Sequence, residues 1–426
     1  MLKETPYWWD TVTFPAAHSG AWPEAVDVAV IGSGITGLAA ARELARRGAR
    51  VAVLEANTLG WGASSRNGGM TLTGLKLGAG TLFARYGREL TRRLFAASVA
   101  AIDLVETLVR EEGIACDFTR SGHLEVACKP AHFRAFARSA EVMAKEFNHP
   151  VRLVARADLP AEIGSAIYHG GLVDAASAGL NPARFTAGLA RAAERAGARL
   201  YDRARVERVE RAAGGFTLTT ARGTLTARDV FVATGGYTGR PTPGLHRKIV
   251  PIGSYVIATE RLPEALAREL SPRNRMIFDS KNFLYYYRLT PDQRLLFGGR
   301  AAFFPETPAT VRESAGLLRR GMLEVFPQLR EAQVEYAWGG TLDFAFDLMP
   351  HAGRLDGVHY ALGYAGHGVA LATYLGVRLG ETIGGARVDN AFAEIPFAGA
   401  PLGLYNGNPW FLPLAEAWYR FLDWVS

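Results

Sequence analysis

The chain has 426 residues, 49% hydrophobic and 21% charged, a balance that fits about two to three globular units and excludes a disordered chain. Two cysteines, Cys116 and Cys128, exclude a disulfide scaffold and a cysteine-ligated zinc ribbon, and read as buried thiols of a reducing compartment. The formal charge of +7 rests on 48 basic residues, only six of them Lys, scattered without a basic run, so nucleic acid is not expected as a partner.

The first predicted element is a buried parallel strand at 26–31, a β-branched run. The glycine turn Gly32-Ser33-Gly34-Ile35-Thr36-Gly37 follows. A helix over 38–47, ended by Gly48, and a second strand at 50–55 complete a βαβ unit. Residues 60–80 are glycine-rich and not periodic. Apolar spacing predicts a helix over 92–112; 117–128 reads as a hairpin around Ser121-Gly122, and 130–147 as another helix. Asn181-Pro182 opens a helix ending near Gly197. A strand region over 198–210, a hairpin of 216–220 and 223–226, and a buried strand at 229–234 follow. Strands are predicted at 254–259, 283–289 and 294–297, and a helix at 308–325. A strand at 358–362, a glycine turn at 363–368 and a helix over 369–383 restore the α/β alternation. Because the two kinds of segment alternate, two interleaved domains are expected. Over 408–425, Trp410, Leu414, Trp418 and Leu422 recur at helical spacing. Packing on the body is the expected role, with a dimer contact or a membrane-surface helix as alternatives.

Met1 to Trp22 lacks the charged and apolar regions of a signal peptide, and no apolar stretch reaches the roughly 18 uncharged residues of a membrane helix. A cytoplasmic protein without a transmembrane segment is expected.

Gly32-x-Gly34-x-x-Gly37 is the strongest chemical signal. The first glycine permits a tight turn, the second lets backbone approach a pyrophosphate, and the third allows close helix–strand packing, with the helix N-terminus facing the negative charge. Glu55 ends the second strand, where a carboxylate accepts from ribose hydroxyls and disfavours a 2′-phosphate. A second cluster, Gly60-Trp61-Gly62-Ala63-Ser64-Ser65-Arg66-Asn67-Gly68-Gly69, offers small residues and hydroxyls to a diphosphate and brings backbone near a flat ring. No HExxH or paired metal motif, no G-x-S-x-G elbow and no P-loop occurs, so no metal site is expected.

Four segments in this order resemble the FAD-dependent D-amino-acid oxidase superfamily, which includes glycine and sarcosine oxidases, and within it the gamma-glutamylputrescine-oxidase-like branch. They are GSGITG with Glu55, GASSRNGG, Ala233-Thr234-Gly235-Gly236, and Gly363-Tyr364-Ala365-Gly366-His367-Gly368-Val369. The resemblance implies an α/β fold in which a Rossmann-like FAD-binding domain (24–75, 175–245 and 342–395) is interleaved with a mixed-sheet α+β substrate domain (76–174 and 246–341), leaving 396–426 as the aromatic helix.

The same resemblance extends the expected cofactor contacts to Ala56, Met70 and Gly339, to Val206 at the adenine, and to Gly366 through Val369 over the flavin pyrimidine. The helix starting at Val369 would stabilise negative charge there; His367 adds to this or is merely a polar residue held in the turn. The RNGG segment has no His and neither Cys stands in a matching motif, so the FAD is expected to be noncovalent. Leu296 stands where sarcosine oxidases carry a Lys, which counts against fast reaction with oxygen. No Arg stands in Trp338-Gly339-Gly340-Thr341, where glycine oxidases hold the substrate carboxylate. Tyr255, Tyr285, Tyr287 and Arg300 are candidates for the substrate pocket, core packing being the rival reading of the tyrosines, and His351 for an approach to the flavin. The implied reaction is oxidation of a C–N bond of a small amine or amino acid by hydride transfer to flavin N5. The imine is then hydrolysed and oxygen reduced to peroxide. The alternatives are a dehydrogenase that passes electrons to a quinone or partner protein, and an FAD-binding protein without turnover or one acting in tRNA modification.

Overall fold

The apolar run of the first predicted strand becomes Ala25–Ile31, the central strand of an eight-stranded sheet in a computed structural model that describes residues 2–299 and 306–425. It pairs in parallel with Val51–Leu54 on one side and Gly223–Val232 on the other. Arg199–Tyr201 and Val358–Leu362 extend the parallel set, and His351–Leu355 closes one edge in the antiparallel sense. Alternation sorts the side chains. Val28 and Val30 pack among the helices Ile35–Arg46, Pro182–Arg195 and Gly368–Ile383, while Ala29 and Ile31 pack against residues of the antiparallel ribbon Val206–Ala212 and Gly215–Thr220. A Cβ at Gly376 would lie 2.4 Å from the Thr36 carbonyl oxygen, so only glycine lets these two helices touch.

A second eight-stranded sheet runs in the order Val334–Ala345, Ile249–Thr259, Leu295–Gly299, Tyr285–Leu289, Met276–Asp279, His123–Val126, Gly170–Asp174, Arg152–Ala155. One face packs on the helix Pro308–Val325; Tyr255, Ile257, Tyr287, Leu295 and Phe297 share that core with Leu318 and Met322. On the opposite face Val256, Ala258, Leu296, Tyr336 and Trp338 pack with Tyr7 and Trp8. The architecture is α/β, with a Rossmann-like sheet beside a mixed one. Among the described residues no helix is long and apolar enough to cross a membrane.

Four expectations change. Residues 117–128 form no hairpin: His123–Val126 pairs in parallel with Met276–Asp279 and antiparallel with Gly170–Asp174. Gly122, at φ +73° and with a virtual Cβ 2.6 Å from the Asp174 carbonyl, steers the chain into the sheet rather than back on itself. The helix expected over 92–112 spans Ala79–Glu111, broken in conformation at Gly87 (φ 74°). The strands expected at 223–226 and 229–234 are one, Gly223–Val232. The terminal helix Leu412–Val425 and the turn before it leave the aromatic stripe outward: Trp410, ahead of the helix, and Leu414 and Trp418 on it are 60%, 68% and 58% exposed. Leu412, Phe411 and Tyr405 pack instead beside Val250, Ile252 and Phe344. The Leu422 side chain lies outside the described residues.

Candidate active site

The C-terminal ends of the parallel strands open into a cavity of about 1290 Å3 that continues beneath the second sheet. This is the crevice where doubly wound sheets receive ligands. Its floor is built by glycine. Gly32 takes φ +106°, and a Cβ there would lie 2.7 Å from the Ala233 carbonyl oxygen. The helix Ile35–Arg46 starts behind Gly34, which has no side chain to cap it, and the Ile35 N–H donates instead to Ser64 Oγ of the second glycine cluster at 2.9 Å. Glu55 is fixed at its strand end: its Oε2 accepts from the Ser33 N–H (3.0 Å) and Ser33 Oγ (2.8 Å), and its Oε1 from the Asn57 N–H (2.9 Å).

The second glycine cluster is a loop tied down from both sides. Asn67 Nδ2 donates to the Ala63 and Ser64 carbonyls at 3.0 Å each, and Asn67 Oδ1 accepts from the Gly69 N–H at 2.8 Å. Trp8 and Trp338 donate their indole N–H to the Asn67 and Arg66 carbonyls at 2.8 and 2.7 Å. Arg66 lies between the Trp9 and Trp61 rings and pairs with Glu306 at 2.7 Å.

At the far end, Gly363 (φ +87°) donates its N–H to Asp343 Oδ2 at 2.7 Å, and burial pushes the Asp343 carboxyl up to about 6. His367 stands at the N-cap of Gly368–Ile383 and gives it no side-chain cap. Its Nδ1 is buried without a hydrogen-bond partner among the described residues. Burial first, then the charge of Lys76, pushes its pKa down to about 4, so the ring is neutral at pH 7.

Of the residues expected at the cofactor, Gly32, Gly34, Ile35, Thr36, Glu55, Ala56, Gly62, Ala63, Ser64, Asn67, Gly68, Met70, Val206, Ala233, Thr234, Gly235, Gly366, His367, Gly368 and Val369 line the cavity. Ser33, Gly37, Ser65, Gly69, Gly339 and Gly363 stand behind it as supports. A Cβ at Gly37 would lie 2.0 Å from the Gly32 carbonyl oxygen, one at Gly69 2.1 Å from that of Leu180, and Ser65 Oγ donates to the Gly60 carbonyl at 2.6 Å.

Three expected catalytic residues do not reach the cavity. Tyr287 faces the helix side, where its hydroxyl donates to Tyr168 at 2.8 Å and its ring stacks on Phe297. The Tyr255 hydroxyl donates to Thr310 Oγ1 at 3.0 Å on the helix Pro308–Val325. His351 is fully buried, with Nε2 2.9 Å from Asp347 Oδ1 and its ring stacked on Phe397. Arg300 lies outside the described residues.

Strand alternation puts the neighbours Ser254 and Tyr286 on the cavity face instead, their hydroxyls 3.4 Å apart. Sequence reasoning also missed Lys76, His123, Glu125 and Phe278, all of which line the cavity. A signal for Tyr286 existed in Gly298: the two are paired across strands, and a Cβ at Gly298 would lie 2.3 Å from the Tyr286 ring.

A glycine cradle at the carboxyl ends of a Rossmann-like sheet, facing a mixed-sheet roof, defines a two-sheet dinucleotide-binding redox protein. The chain belongs to the DAO family: the model of that family, described as FAD dependent oxidoreductase, matches residues 27–382. It is therefore an FAD-dependent oxidoreductase. It is 33% identical over 410 residues to a probable oxidoreductase OrdL of Haemophilus influenzae, covering 94% of this chain and 92% of the relative. It is 33% identical over 400 residues to the gamma-glutamylputrescine oxidoreductase of Escherichia coli, covering 93% and 92%. The crystal structure of glycine oxidase from Geobacillus kaustophilus shares the fold, with a TM-score of 0.72 at 22% identity over 88% of this chain and 99% of that one.

Proposed function

We propose that this oxidoreductase oxidises a C–N bond of an amine or amino acid, with FAD held noncovalently. The observation that carries the reading is the cavity itself. Two helix N-termini, at Ile35 and Gly368, whose N-cap residues Gly34 and His367 supply no side-chain cap, open onto one space that exceeds the roughly 300–1,000 Å3 of an ordinary small-ligand pocket. The residues fit FAD. Gly32, Gly34 and Ser64 would take the diphosphate at the first helix, Glu55 the ribose hydroxyls, and the Val206 backbone the adenine. The turn Gly366–Val369 would meet the pyrimidine edge of the ring, where the unpartnered His367 Nδ1 and the helix N–H groups face the site of developing negative charge. Neither cysteine lines the cavity, and Arg66 to Gly69 include no histidine, which supports a noncovalent cofactor.

Bound FAD supplies the two-electron acceptor. The chain holds a donor under a roof of Leu172, Phe278 and Tyr286, which excludes water and orients the reacting carbon. The donor gives up a hydride from its α-carbon and a proton from nitrogen. The imine adds water and splits into a carbonyl compound and an amine. The name of the Escherichia coli relative supports a longer amine as donor.

Oxygen is the proposed final acceptor, taking two electrons and two protons to become hydrogen peroxide. Lys76 lines the cavity within electrostatic reach of His367 and brings positive charge there. A dehydrogenase that passes electrons to a quinone or a partner protein is the second reading, favoured by Leu296, which is buried among apolar neighbours and offers no cation. In air, amine loss should be matched by equal peroxide and carbonyl product. Reduced enzyme that persists for minutes in air yet discharges at once to a quinone analogue selects the dehydrogenase, and amine loss without a carbonyl product defeats the C–N reading.

A further inference from the structure

The roof of the cavity can be read across four strands. Leu172 pairs with Glu125, Glu125 with Phe278, and Phe278 with Tyr286. Residues paired across neighbouring strands point to the same face, and all four line the cavity. One member of this otherwise apolar and aromatic row is a carboxylate. Among the described residues no hydrogen bond or ion pair ends on the Glu125 carboxylate. His123, two residues earlier on the same face, is engaged with Ser177 Oγ at 2.8 Å.

Among the described residues, the Lys and Arg side chains that line the cavity are Lys76, Arg138, Arg205 and Lys281; Lys281 pairs with Asp279 at 3.2 Å, and Arg205 stands beside Val206 at the end expected for the adenine. Burial pushes the Glu125 carboxyl up to about 7, with the charge of Lys76 acting in the opposite direction. A carboxylate in a desolvated wall is costly unless a cation or donors complete it. Beside it the cavity continues along the helix Pro130–Phe147, lined by Phe136, Val142, Met143 and Phe147, a surface suited to an alkyl chain.

We propose that Glu125 is the specificity-determining carboxylate of this cavity. It receives the ammonium of a cationic, alkyl-chained amine, so the donor is selected by its positive charge rather than by a carboxylate. The inference rests on the C–N oxidation reading above and names its substrate class.

The test uses the holoenzyme and a cation that cannot be oxidised by α-C–H loss with imine formation. Butyltrimethylammonium and butyrate are titrated separately while the flavin absorbance is followed. The wild type should show saturable binding of the cation and weaker or no binding of butyrate. Glu125→Gln should weaken cation binding about thirtyfold or more, and Glu125→Asp should recover part of it, each with unchanged flavin content. With a simple alkyl amine as donor, the Glu125→Gln loss should fall mainly on KM. Equal cation affinity in wild type and Glu125→Gln, or tighter binding of butyrate than of the cation, would overturn the proposal. The two readings fail separately. Flavin that no amine reduces in the wild type defeats C–N oxidation, while amine turnover unchanged by Glu125→Gln defeats only the role of Glu125.

Discussion

An aspartate at position 34 should strip the protein of its FAD. Gly34 is the N-cap of Ile35–Arg46, and a Cβ there would already lie 2.8 Å from Ser64 Oγ, the acceptor of the Ile35 N–H. A side chain therefore displaces Ser64 from the cradle, and a carboxylate adds a charge of the diphosphate's own sign. Two like charges about 4 Å apart at an effective dielectric near 20 repel by about 4 kcal/mol, which corresponds to roughly a thousandfold in affinity. The loss of favourable helix N-terminal charge adds up to about 1 kcal/mol. Gly34→Ala isolates the steric part, and should weaken FAD binding by about tenfold to a hundredfold through overpacking. The assay is the flavin content of purified protein, followed by FAD titration of the stripped protein with flavin fluorescence. Gly34→Asp protein that binds FAD within fivefold of wild type would refute the assignment of this turn to the diphosphate.

The two neighbouring tyrosines should separate stability from kinetics. Tyr287→Phe leaves the buried Tyr168 hydroxyl without its donor and should cost about 1–3 kcal/mol in urea unfolding with kcat/KM nearly unchanged, whereas Tyr286→Phe should change kcat/KM with little loss of stability. Equal kinetic losses would return Tyr287 to the site. The pH dependence follows from His123 and His367, both pushed down to about 4 chiefly by burial. Each is neutral when folded and takes up a proton on unfolding between about pH 4 and its unfolded value near 6.5. Their contribution is present above pH 6.5 and is lost as pH falls toward 4. Glu125 and Asp343, pushed up to about 7 and about 6 by burial, act in the opposite sense over the same range, so the histidine contribution is read as a difference between proteins. From pH 7 to 4.5 the urea midpoint of His367→Asn should lose less, or gain more, than that of the wild type, and an identical pH dependence in the variant would contradict a neutral buried His367.

The floor of the site was legible because its signals are local. Strand, glycine turn, helix and Glu55 fall within one βαβ unit, and Gly37 is needed for a close approach to Gly32 inside the same turn. The roof was not, because its signals are long-range. The alternation of Tyr285, Tyr286 and Tyr287 fixes which tyrosines share a face but not which face meets the cavity; the register with Gly298 and the helix Pro308–Val325 decides it. Glu125 was hidden for the same reason, since its strand pairs with segments about 50 and 150 residues away. The tryptophan stripe of the terminal helix misled because helical spacing marks an apolar face without saying that anything covers it.

The central claim, that bound FAD takes electrons from a C–N bond in this cavity, is tested most directly by anaerobic mixing. The holoenzyme is combined without oxygen with alkyl amines, diamines and amino acids, and the flavin absorbance near 450 nm is followed (about the usual flavin maximum). At least one amine should bleach the flavin fully and yield one carbonyl product per flavin. Flavin that stays oxidised with every amine and amino acid, yet bleaches with a donor lacking nitrogen, would contradict the account.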